Sequence, residues 1–327
     1  MSAVGLALFA HLRQAVNMAR KPATLAIACL LALAVAAPSA QATFAGRPGL
    51  VASGQRDGLH VANPDGTGER VAGDLTNVSG PAWSHDGRRV AVSAETPDAD
   101  TDTVNYDIYV VDVATGESRQ LTHGAAGDYV PTWGRGDRSI VFQRVRPLTN
   151  GSTDLTKRLF RIRLSGGRAR YIGVKSPYMG GSEVAPGGRK IAFVSDGDVF
   201  LTGRNGHGTH RIVDFPGGDG QRIAGSVSWA PDGRSLAILA TFNSPCEECA
   251  EVWTVDRDGS NLRKLTPEQS GYGKAFFSPR GNKIASCRTT WKPDNTAQVS
   301  TLLLMNLSGS HQKALGSFCG TAWQALP

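Results

Sequence analysis

The stretch "PCEEC" sets Cys246 and Cys249 with two residues between them, the spacing of a redox dithiol or of half a zinc site. A redox pair usually heads a helix that lowers the thiol pKa, whereas this pair caps a loop. Zinc would require Cys287 and Cys319 to converge on it. The simpler chemistry is two disulfides, Cys246–Cys249 and Cys287–Cys319, formed in an oxidising compartment. Asp98, Asp100 and Asp102 place oxygen ligands at alternate positions, with Asn105 and Asp107 close by, and offer an irregular Ca²⁺ site. The Gly and Glu that complete an EF-hand loop are missing, and solvated acids are the competing reading. His207-x-x-His210 resembles a metal pair, but an exposed Gly-rich turn accounts for it. Trp291, flanked by Thr290 and Lys292, joins an aromatic plate to a cation, the composition of an interaction hot spot.

Catalytic patterns are missing. There is no G-x-S-x-G elbow and no H-E-x-x-H. Spacing pairs no two carboxylates as acid and base. The seven His residues are scattered, so no ligand cluster stands out. No catalytic residue and no firm cofactor is therefore assigned, and the chain reads as a non-enzyme.

Such groups act only where the fold carries them, and here the fold is written in a repeat. "PAWSHDGRRVAVSAE", "PTWGRGDRSIVFQR", "SEVAPGGRKIAFVS", "VSWAPDGRSLAILA" and "AFFSPRGNKIASCR" share one line. Their anchors are Trp83, Trp133, Val184, Trp229 and Phe277, spaced 50, 51, 45 and 48 residues apart, with Trp323 a further 46 on. Between anchors, Gly-rich turns such as "VATGES" separate β-prone runs such as "DIYVVD". Each unit reads as four antiparallel strands, a to d. Strand a ends at the anchor, and c and d flank the Gly turn. This is an all-β, six-bladed β-propeller of four-stranded blades. The C-terminal "TAWQALP" supplies strand a of blade one and closes the ring.

The line W-S-x-D-G-[RK]-x-[IVL]-A, followed by "IYVVD", "TG" and "RQLT", resembles the TolB-type propeller repeat over almost all of residues 43–327. The same repeat forms the propeller of prolyl-oligopeptidase-like peptidases, but this chain has no room for their hydrolase domain. Blade four departs with Val184 and "PGG", and blade three with "RGD" for "PDG". The resemblance implies a fold more than a function, since such propellers serve as scaffolds, adaptors and occasionally enzymes.

Alternating strand direction puts the b–c and d–a loops on one face. The b–c loops are long in blades two, three, five and six and short in one and four, so they wall a groove between the short-loop blades. Length drift in exposed loops is the plainer account. The binding candidates on this face are Trp291, Lys292, Asp128, Tyr129, Tyr178, Glu183, Tyr272 and Lys274. Glu183 and Lys274 are read as related channel-lining positions of blades four and five, with Asp128 and Tyr272 at the mouth. Their plainer role is an ion-pair or hydrogen-bond network.

Residues 1–42 read as an export signal: Arg20-Lys21, the apolar run Ala23–Ala37, and an Ala40-x-Ala42 exit, with Met18 a second start. Cys29 would acylate a lipoprotein, but Ala26 stands where Leu is usual. Cleavage leaves one domain, residues 43–327, with no transmembrane anchor and a net charge reduced from +7 to +4. The basic residues are dispersed, which points away from nucleic acid. The expected product is an exported monomer, periplasmic, extracellular or envelope-associated, that binds a protein or cell-envelope component. The alternatives are a glycan-active hydrolase or lyase with carboxylates at the channel mouth, and a purely structural module.

Overall fold

Period-two apolar runs punctuated by Gly, Asp and Asn turns favour strands. The computed structural model describes residues 44–97, 104–146, 156–215, 222–242, 250–267, 271–291 and 298–327, and it is all-β in a propeller arrangement. No α-helix occurs among the described residues; a single 3-10 turn covers Arg135–Asp137.

The first sheet pairs β1 (Arg47–Gln55), β2 (Gly58–Ala62) and β3 (Arg70–Val71) with β24 (Ala322–Leu326), in the order β24-β1-β2-β3. The second runs β4 (Ser79–Trp83), β5 (Arg89–Pro97), β6 (Val104–Asp112), β7 (Ser118–Gln120). The third holds β8 (Gly127–Trp133), β9 (Ser139–Val145), β10 (Lys157–Arg163) and β11 (Arg170–Ser176). The fourth holds β12 (Met179–Val184), β13 (Lys190–Ser195), β14 (Asp198–Gly203) and β15 (His210–Val213).

The remaining strands depart from the six separate blades expected. β16 (Arg222–Trp229), β17 (Ser235–Phe242), β18 (Ala250–Asp256), β19 (Arg263–Lys264), β20 (Gly271–Phe277), β21 (Lys283–Trp291), β22 (Gln298–Asn306) and β23 (Lys313–Gly316) join in one eight-stranded sheet. Four separate four-stranded blades therefore stand beside one larger sheet. The reason is local. β19 covers only Trp253 and Thr254 of β18, so Ala250 is left to pair in parallel with Gly271 of β20.

The six anchors are all buried, as core residues between sheets should be. Burying a large apolar side chain contributes roughly 1.5–3 kcal/mol, and two of the tryptophans also tie neighbouring sheets. Trp133 Nε1 donates to Ala82 O at 2.8 Å, and Trp229 Nε1 to Glu183 O at 3.2 Å. The "RGD" departure has a purpose. Gly136 and Asp137 turn with φ of 63° and 56°, which swings the Asp137 carboxylate onto the preceding sheet's turn. There it accepts from the His85 backbone N–H at 2.9 Å, lies 2.5 Å from His85 Nδ1, and accepts from Asp86 N–H. At the outer edge, arginines clip adjacent units by donating to backbone carbonyls. Arg70 reaches Val113 O, Arg119 reaches Leu164 O, Arg161 reaches Arg204 O, and Arg263 reaches Leu307 O.

β24 arrives from the far end of the chain and pairs with β1 through Arg47↔Leu326 and Val51↔Trp323. Gln324 Nε2 donates to Gly87 O at 2.6 Å, and Gln324 Oε1 accepts from Leu50 N–H at 2.8 Å. Cys287 of β21 is disulfide-bonded to Cys319, just ahead of β24, with Cα atoms 5.4 Å apart. This bond removes Cys287 and Cys319 from any zinc site, while Cys246 and Cys249 lie outside the described residues.

Candidate functional site

The first strand of each unit lies innermost: β4 meets β8, β8 meets β12, β12 meets β16, and β16 meets β20. Every one of these strands carries a register shift, at Ser79/Ala82, Tyr129/Thr132, Met179/Ser182, Ala224/Ser226 and Tyr272/Ala275. A bulge bends the strand and re-aims its side chains. In β4 the bend falls on Gly80 at φ 59°, whereas β8 puts Val130 there at φ 58°. A β-branched residue is strained in that region, as residues at binding sites often are. Between β12 and β16 the approach is so close that a Cβ on Gly180 would lie 2.6 Å from Gly225 O.

Two buried ionic arrangements sit on these strands. In the third sheet, Asp128 and Arg144 face each other across β8 and β9. Arg144 Nε and Nη2 donate to the two Asp128 oxygens at 2.6 Å each. The guanidinium also lies 5.3 Å from the Phe142 ring and 5.0 Å from that of Phe160. Burial pushes the Asp128 carboxyl up, against the pull of Arg144. Asp107 of β6, raised chiefly by burial, accepts from Thr122 Oγ1 at 2.9 Å and Gln120 Nε2 at 3.0 Å. Beside this network Tyr106 and Tyr129 pack with ring centroids 5.4 Å apart. Burial and its neighbours Tyr106 and Asp128 push the Tyr129 hydroxyl up to about 12.

The second arrangement lies across the fourth and fifth sheets. Glu183 and Lys274 are fully buried. Glu183 Oε2 accepts from Trp229 N–H at 3.1 Å, while its Oε1 has no hydrogen-bond partner among the described residues. Lys274 Nζ has none either, nor has the buried Ser226 Oγ. Burial raises Glu183 well above the ordinary carboxylate range, partly offset by Lys274. Burial likewise lowers Lys274 to about 7, partly offset by Glu183.

These positions correct several expectations. Lys274 sits on β20, one unit further round than expected, three residues before its anchor, whereas Glu183 is one before its own. The two are therefore not equivalent positions, yet the fold brings them within electrostatic reach. Tyr272 is buried in core and donates to Gln312 Oε1 at 3.1 Å, so it does not stand open at the mouth. Tyr178, in the turn between β11 and β12, is 67% exposed. Trp291 ends β21; Lys292 lies outside the described residues, as do Asp98, Asp100 and Asp102. Among the described residues no group of His, Cys, Asp and Glu is arranged to hold a metal ion. The sequence reading missed Arg144 and Ser226. Arg144 was legible as the hairpin partner of Asp128 in "GDYVPTW" and "IVFQRV"; nothing in the sequence marked Ser226.

No family model matches the chain. It is 29% identical over 147 residues to the uncharacterized protein Atu1656 of Agrobacterium fabrum, covering 42% of this chain and 48% of that one. It is 23% identical over 243 residues to the uncharacterized peptidase YuxL of Bacillus subtilis, covering 72% of this chain and 33% of that one. The chain thus spans about half the length of one curated relative and about a third of the other. Among solved structures it superposes on TolB from Acinetobacter baumannii with a TM-score of 0.62 at 19% identity, covering 88% of this chain and 68% of that one. The fold is that of a TolB-like propeller. The TolB-like arrangement is shared with the oligogalacturonate lyase of Vibrio parahaemolyticus, at a TM-score of 0.56 and 16% identity over 85% of this chain and 77% of that one. At such identities the likeness carries fold and not activity. No helix among the described residues is long and apolar enough to cross a membrane.

Proposed function

We propose that this TolB-like chain is an exported, non-catalytic binding propeller that recognises a protein or cell-envelope component through its b–c/d–a loop face. The observation that carries the reading is the exposure of Tyr178 and Ile223 beside the short Asp196–Gly197 hairpin of the fourth sheet. They are 67% and 39% exposed and both adjoin that turn: Asp196 N–H donates to Tyr178 O at 3.2 Å, and a Cβ on Gly197 would clash with Ile223 Cγ2. An enzymatic reading needs two carboxylates facing an open pocket. Asp107 and Asp128 are instead buried, and both Asp128 oxygens are held by Arg144.

The ring itself is read as six units, the eight-stranded sheet counting as two, closed by β24. Contacts of β20 with β24 and of β24 with β4 support that closure. Deleting Thr321–Pro327 should lower the melting temperature by more than 10 °C, since Trp323 and Ala325 leave the core with it. A truncated chain that melts like the full one would refute closure.

The functional test is capture from a native envelope extract, followed by titration of the purified partner. Tyr178→Ala and Ile223→Ser should each weaken binding at least tenfold, and Trp291→Ala should do so if the adjoining long loop takes part. Unchanged affinity in the first two variants, or turnover of a glycan by wild type, would overturn the reading.

A further inference from the structure

Three residues before the anchors stand Gly320, just ahead of β24, and then, on the innermost strands, Gly80, Val130, Gly181, Ser226 and Lys274. Five of the six are small or medium, and one is a lysine. That lysine is almost fully buried without a hydrogen-bond partner. Burying an unpaired cation is costly. Its neighbours repeat the oddity. Ser226, one unit back, has a buried hydroxyl without a partner, and Glu183, two units back, leaves Oε1 unpaired. Glu183 and Lys274 are close enough for each to shift the other's proton affinity, and they form no direct ion pair.

The unused inventory has a direction. A lysine ammonium offers three N–H donors and a serine hydroxyl one, against a single unpaired carboxylate oxygen on Glu183. Donors are in excess, so the group that completes the site must accept. β16 contacts both β12 and β20, so Ser226 lies on the strand between those that carry Glu183 and Lys274.

We propose that Lys274 and Ser226 bind an oxyanion, a carboxylate or phosphate group of a ligand entering at the propeller axis, with Glu183 as the internal competitor for the ammonium. The inference deepens the binding role proposed above by naming the chemistry taken at the axis. On anion entry the ammonium bonds to the ligand instead of facing Glu183 unpaired, while Glu183 keeps its bond from Trp229 N–H.

The test uses the full chain in chloride-free buffer, titrated calorimetrically with inorganic phosphate and, separately, with acetate. Wild type should take up one equivalent of one or both anions; a preference for phosphate assigns a phosphorylated ligand, and a preference for acetate a carboxylate. Lys274→Met should weaken uptake at least tenfold and Ser226→Ala severalfold. Glu183→Gln, which removes the competitor, should tighten it severalfold. No saturable uptake by wild type, unchanged uptake in a folded Lys274→Met protein, or weaker uptake in Glu183→Gln would overturn the site. Should Lys274→Met fail to fold, the opposite signs expected of Ser226→Ala and Glu183→Gln decide. Partner binding that depends on Tyr178 can survive a negative result here, and anion uptake can survive loss of partner binding, so the two readings fail separately.

Discussion

Two buried carboxylates on adjacent innermost strands meet opposite fates. Asp128 on β8 faces a guanidinium across its own hairpin and fills both oxygens at 2.6 Å. Glu183 on β12 finds its cation two units away and leaves one oxygen unpaired. Local register built the first pair, because residues opposite each other in an antiparallel ladder are held in reach whatever the rest of the ring does. The second pair exists only by the packing of β12, β16 and β20, and it stops short of a direct bond. A filled pair stabilises a hairpin. An unfilled one leaves chemistry available.

The sharpest way to break this contrast is Arg144→Met. It leaves the buried Asp128 carboxyl without its partner and should cost about 3–5 kcal/mol in denaturant unfolding. A loss under about 1 kcal/mol would mean that Asp128 and Arg144 behave as a surface pair. The double change Glu183→Gln with Lys274→Met should act in the other direction. Replacing an unsatisfied buried pair by uncharged groups of similar volume is neutral or stabilises by up to about 4 kcal/mol. If it destabilises as much as Arg144→Met, the two sites are of one kind.

The pH dependence sharpens the comparison further. Lys274 is held at about 7, against an ordinary lysine value of about 10.4. Between those values the unfolded chain keeps a proton that the folded chain has released, so this group's contribution to stability rises with pH across the window. Glu183 is raised, so its contribution is present below the ordinary carboxylate range and is lost as pH rises through its folded value. Wild type should therefore be least stable, relative to the double variant, around neutrality, and should recover toward acid and alkaline pH. A stability difference that does not change with pH would count against the buried placement of both groups. The smallest effect belongs to the outer clips. Arg119→Ala removes an exposed bond to Leu164 O and should cost about 0.5–1.5 kcal/mol, a reference for a cation that is merely structural.

Much of the architecture could be read from residue order. The recurring Trp, Val and Phe anchors named the core, and each is buried. The Gly-rich turns placed the c–d hairpins, and the short hairpins of the first and fourth units close at Gln55↔Gly58 and Ser195↔Asp198 as expected. The count of separate sheets was not legible. It turned on one parallel pairing, Ala250 with Gly271, permitted by a two-residue outer strand. The site was half legible. Lys274 and Glu183 stood out as charges where small residues belong, but Tyr272 looked equally placed for the mouth and is core.

The sequence by itself determined what is periodic. Turn chemistry, strand alternation and anchor spacing act over neighbouring residues, so a single chain read in order contains them. Only the tertiary structure decided which polar groups find partners. Asp137 reaches His85 across 52 positions, and β24 reaches β1 across nearly the whole chain. Whether Lys274 meets Glu183 depends on how β12, β16 and β20 pack together, which no local pattern encodes. Partnership between innermost strands depends on register summed over several sheets, and Lys274, Ser226 and Glu183 are among the groups left with an unpaired atom.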